Sequence, residues 1–232
     1  MKKMLAFFTA AMCCSGIFIA CGNKESSSTS ESENTSAVTT SAKNNSQKEN
    51  FDDEFEDIFR TFFMGGASDK MLEVSLPDDV IESMKNIGGA ETISENVASS
   101  VAQYISAVPE TDAEKIKYVS ERECTPEFRS RIEELYSAYY DVYKTMDDIG
   151  ISYEEYLTGK VDENRMNQLS EVLDRYGKIC AGEQIDIVHS IIFEDVRLVT
   201  FSMNGDHVEF LMYKISGENW KLDTIGLAVF EY

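Results

Sequence analysis

Basic residues are scarce in this chain. Its 232 residues hold 21 Lys and Arg against 42 Asp and Glu, a formal net charge of −21. Nucleic-acid binding needs clustered cations to displace the counterions of phosphate, so nucleic acid is excluded as a partner class. The same balance keeps the domain from lying flat on an anionic membrane. Most of the charge reads as solvated surface, and what it attracts is cationic: basic peptides, polyamines or divalent ions. Histidine is scarcer, with only His189 and His207. Neither stands in a spacing that serves zinc or a nucleophile–base pair, and each reads as a half-buried strand residue. No Gly-rich phosphate loop and no Asp-x-Asp-x-Asp-Gly calcium loop occurs, so no cofactor and no metal are expected. Tyrosines and acids are so abundant that no Asp–Tyr pair can be singled out as catalytic.

Cysteine is sparse and unevenly placed. Cys13, Cys14 and Cys21 lie near the start, leaving Cys124 and Cys180 for the rest of the chain. Lys2 and Lys3 precede an apolar run from Met4 to Ala20, the layout of an export signal over residues 1–20. The run is at the lower edge of what spans a bilayer, which makes an uncleaved anchor the alternative. Its end, Phe18-Ile19-Ala20-Cys21, resembles the close of bacterial lipoprotein signals. That resemblance implies cleavage before Cys21, acylation of its thiol, and a membrane partner reached through the lipid on the outer face of the cell membrane. Removing the signal takes two lysines and no acid, so the exported form is more negative still. An exported location permits a disulfide, and Cys124 and Cys180 could close one; two buried thiols are the alternative.

From Cys21 to Asn50 the chain is dominated by Ser, Thr, Asn, Glu and Lys, with one valine and no aromatic. Such a segment buries too little apolar surface to offset its ordering entropy and reads as a disordered tether. Its ends would lie roughly 30 Å apart as a coil and about 100 Å apart if stretched.

Residues 51–66 change character. Phe51, Phe55, Ile58, Phe59, Phe62 and Phe63 recur at helical spacing, with Asp52, Asp53, Glu54, Glu56 and Asp57 opposite. The aromatic face of Phe51, Phe55, Phe59 and Phe62 either binds a partner or folds back onto the domain, the second being favoured. A globular domain is expected over 72–232. Pro77 opens a helix to about Asn86, and Thr92 with Glu95 forms a capping box for a second, carrying Val97, Val101, Tyr104, Ile105 and Val108. Lys115–Glu123 reads as a strand. Thr125-Pro126-Glu127 starts a long helix with Ile132, Leu135, Tyr139, Val142 and Met146 on one face and Tyr136, Tyr140 and Tyr143 beside it. Ser152-x-x-Glu155 caps a short helix, and Asp162 caps the one bearing Leu169, Leu173 and Tyr176. Four strands are then expected, Ile185–Phe193, Val196–Met203, His207–Ile215 and Trp220–Val229, with a hairpin turn at Asn204-Gly205 and Trp220 in the core.

Helices followed by strands predict an α+β fold, with helices packed on one face of a curved antiparallel sheet. This order resembles the cone-shaped nuclear transport factor 2-like and cystatin-like domains. The Ser216-Gly217-Glu218-Asn219-Trp220-Lys221-Leu222 ending is similar to uncharacterised lipoproteins of Gram-positive bacteria. The expected function is a non-enzymatic binding or scaffolding module for a peptide, an envelope protein or a wall component. The alternatives are an enzyme acting on a small apolar ligand in a cone pocket, or an accessory subunit of a transport or export system.

Overall fold

A computed structural model describes residues 51–64, 69–96, 115–203, 205–226 and 229. The signal, Cys21, the tether and the expected apolar row from Val97 to Val108 lie outside them. Three helices come first: α1 (Phe51–Met64), α2 (Asp69–Glu73) and α3 (Asp78–Asn86). Gly88, with φ +72°, ends α3 in the left-handed conformation that glycine adopts without strain. A helical stretch resumes over 90–96. Thr92 and Glu95 therefore sit inside that stretch rather than capping it. The early start has a packing cause: Gly89 lies against Tyr153, whose ring would be 2.9 Å from any added Cβ.

Strand β1 (Lys117–Glu123) leads into α4 (Pro126–Asp148), where Thr125 accepts the Phe128 amide as N-cap. Both sides of the expected capping box form at α5 (Tyr153–Leu157), between Ser152 and Glu155. Asp162 accepts the Arg165 amide at the start of α6 (Glu163–Cys180). The sheet is completed by β2 (Phe193–Met203), β3 (Asp206–Ile215) and β4 (Trp220–Leu222), antiparallel in the order β1-β2-β3-β4. Met203 pairs with Asp206 across a two-residue turn in which Gly205 takes φ +95°.

The fold is α+β, as the order of elements predicts, but its strands are drawn differently. Residues 185–192 are not in the sheet, and the last strand stops at Leu222. There Asp223 accepts the amides of Ile225 and Gly226 on one oxygen and turns the chain away. The fourth strand is β1, at one edge.

Strand register sorts side chains onto two faces, because alternate residues point to opposite sides of the pleat. Val199, Phe201, Phe210, Met212, Trp220 and Leu222 share one face, and α1 lies across it. Phe59 stacks on Phe201 at 4.3 Å between ring centroids and meets Phe210 edge-on at 4.9 Å. Phe55 meets Trp220 edge-on at 5.1 Å. The other face presents Phe193, Val196, Leu198, Leu211 and Tyr213 toward α4, where Tyr136 contacts Tyr213 at 4.8 Å and Phe193 at 5.3 Å. Helices α3 and α6 pack beside α4, with Tyr139 against Tyr176 at 5.8 Å. The long helices thus hold one face and α1 closes the second. One amide at each sheet edge has a partner outside the sheet: the Tyr118 amide donates to Glu56 at 2.9 Å and the Leu222 amide to the Val74 carbonyl at 2.8 Å.

Candidate functional site

Phe55, Phe59 and Phe62, read above as a face that could bind a partner, are buried in the core. The same helical spacing that would serve a partner serves the sheet, and the sheet is nearer. The Phe51 side chain lies outside the described residues, as does Cys21. Cys124 and Cys180 are not bridged; both are half-buried thiols, and burial pushes the Cys124 thiol up to about 11. His189 is half-buried and His207 exposed. Among the described residues no group of three or more His, Cys, Asp and Glu side chains is placed to hold a metal.

Two charged residues that sequence reasoning missed are buried where α2, α3 and α4 meet the sheet. Asp223 is fully buried and accepts the Tyr136 hydroxyl at 2.6 Å. Burial, before the neighbouring carboxylate, raises the Tyr136 phenol well above its usual range, so it stays a donor. Tyr213, raised mainly by burial, donates to the Ser75 carbonyl at 2.9 Å. The Lys221 ammonium lies within 2.9 Å of the Glu73 carbonyl and of Asp78, and 3.2 Å from Glu218. Three acceptors match its three donors. An Asp–Tyr pair in an open cone would suit proton transfer. Here Phe193 and Tyr213 pack against the Tyr136 ring, and the pair ties the last strand to α4.

The second arrangement lies along α4, with Glu133 and Ser137 buried. Arg129, Glu133, Ser137 and Asp141 recur every four residues along α4 and form one polar ridge. Glu133 accepts the Phe193 amide at 3.0 Å and Arg129 at 3.1 Å, while Arg129 also donates to the Phe193 carbonyl. His189 lies 3.6 Å from the other Glu133 oxygen. Ser137 accepts the Ile191 amide at 3.0 Å and donates to the Ile191 carbonyl at 3.3 Å. Asp141 accepts Ser190 at 3.1 Å and pairs with Arg175 at 3.4 Å. This ridge replaces a neighbouring strand. It satisfies the backbone of Ile191 and Phe193, which would otherwise need a neighbouring strand.

Exposure alternates residue by residue from Ile185 to Phe193, the pattern of extended backbone, with bends at Ser190 and Ile191. Inward go Ile185, Ile187, His189, Ile191 and Phe193. Outward go Asp186, Val188, Ser190 and Ile192, with Val188 85% and Ile192 63% exposed. Among the described residues, 184–190 make no backbone hydrogen bond. Where the segment begins, a hollow of about 200 Å³ is lined by Arg131, Glu134, Ile179, Gly182, Glu183 and Gln184. Small-molecule pockets run to roughly 300–1,000 Å³, so this one suits a single side chain. Comparison with protein-family models, curated proteins and solved structures finds no match.

Proposed function

We propose that this chain is a lipid-anchored envelope protein, held at Cys21 on the outer face of the cell membrane, whose domain is a non-enzymatic binding module. Its contact edge is the segment 184–192. The anchor rests on the resemblance of Phe18-Ile19-Ala20-Cys21 to lipoprotein signals, and the tether gives the domain reach. One observation carries the binding reading: a fixed extended segment holds Val188 and Ile192 out in water beside unpaired backbone. Single exposed apolar residues are ordinary on protein surfaces. Two on one segment, with open hydrogen-bonding groups at 184–190 and the helix ridge holding its end at 189–193, make a candidate edge. Holding that end in place lowers the entropy cost of association.

The test places a photoreactive amino acid at Val188 or at Leu157, which is also exposed (59%), in intact cells. A discrete, saturable adduct from position 188, absent from 157 and lost with Ile192→Asp, is expected. Equal labelling from both positions would overturn the assignment of the edge.

A further inference from the structure

We infer that the 184–190 edge takes a cationic extended peptide segment, which adds to it as a short strand with a basic side chain beside Asp186 and an apolar one beside Val188. This rests on the reading of the segment as a contact edge and names the chemistry of its partner. Two independent features fix that chemistry. The first is the backbone. Residues 184–190 have strand-like alternation of exposure and no backbone partner among the described residues. An unpaired edge is a template for one more strand, whose main-chain hydrogen bonds supply binding and whose alternate side chains supply specificity.

The second feature is charge. Glu183, Asp186 and Glu194 are all exposed along or beside the segment; among the described residues none of the three forms an ion pair, and Lys178, already paired with Asp174, is the cation that feels Glu183. Cross-strand neighbours of opposite charge stabilise a pair of strands, and like charges directly opposite destabilise it. A second copy of this chain would bring the same acids to the same edge, on a molecule of net charge −21. Self-pairing is therefore disfavoured, and a basic strand is favoured. The apolar component follows from Val188, which gains burial only beside another apolar side chain.

The experiment titrates the full chain with fluorescein-labelled KTVTKTV and follows anisotropy, with ETVTETV and KPVPKPV as companions. Saturable binding of KTVTKTV is expected, at least tenfold tighter than either companion. The charge-reversed peptide loses the acid contacts, and the proline peptide loses every second backbone donor and favours a polyproline helix over a pleated strand. The double variant Glu183→Gln/Asp186→Asn should weaken binding about tenfold and flatten its salt dependence. Glu154→Gln/Glu163→Gln, an equal charge change at exposed positions on α5 and α6, should leave it unchanged. Equal weakening by both double variants would reduce the effect to net charge and overturn the inference. So would equal binding of KPVPKPV, or no binding of KTVTKTV. Tight binding of ETVTETV that Val188→Ser abolishes would overturn the cationic partner while leaving the edge as the binding surface.

Discussion

Asp223 concentrates three hydrogen bonds on one buried oxygen, from the Tyr136 hydroxyl and the amides of Ile225 and Gly226. A buried carboxylate is costly unless its acceptor positions are filled, and orphaned donors cost about 1–3 kcal/mol each. Asp223→Ala orphans all three donors and should destabilise the fold by about 3–5 kcal/mol. Tyr136→Phe removes one donor and leaves the two amides in place, so about 1–2 kcal/mol is expected. Equilibrium urea unfolding measures both, and equal losses would show that the carboxylate does not organise the turn. The residue was hidden in the sequence. Leu222-Asp223-Thr224-Ile225 reads as ordinary strand alternation, and only the fold shows that Asp223 points inward and ends β4. Cys124 is a similar case. An exported location permitted a bridge to Cys180, but both thiols are free, and the burial that raises the Cys124 pKa to about 11 leaves about a hundredfold less thiolate than an ordinary cysteine.

At the scale of elements, the ridge on α4 decides what the 185–193 segment becomes. Its period-two pattern was legible in the sequence, and its exposure follows that pattern although no strand forms before Phe193. Its partner was not legible, because strand chemistry specifies that backbone groups must be paired without saying by what. Helix side chains at Glu133 and Ser137 supply what a neighbouring strand would. Glu133→Ala should therefore loosen this segment selectively. Losing that acceptor costs about 1–3 kcal/mol of local stability. Amide exchange at Phe193 should accelerate by roughly ten- to a hundredfold, while the central amides of β3 keep their protection. Ser137→Ala should do the same at Ile191. Uniform acceleration across the sheet would mean that the ridge supports global stability instead of holding one segment. The caps at Thr125, Ser152 and Asp162 were legible because each is local: one side chain meets one amide three residues on. The destination of α1 was a choice between two surfaces that its amphipathic pattern fits equally. Burial of Phe55, Phe59 and Phe62 settles it in favour of the sheet.

For the whole molecule, anchoring and charge act in opposite directions. A domain with twice as many acids as bases is repelled by anionic headgroups, so its own surface gives it no means of staying at a membrane. No described helix is long and apolar enough to cross one. On the proposed reading, attachment falls to Cys21, where two acyl chains would hold and one would not. Helix α1 is the first described element beyond the tether, so any pull along the tether reaches the domain there. Phe55 and Phe59 resist it through contacts with the sheet. Fractionation of intact cells should place the wild-type protein in the membrane, resistant to a high-salt wash, because neither acyl chains nor apolar anchors depend on ionic attraction. Cys21→Ala should move the protein to the soluble fraction without changing its fold, since residue 21 is separated from α1 by the tether. Retention of Cys21→Ala in the membrane would show that the apolar run Met4–Ala20 stays uncleaved and is itself the anchor.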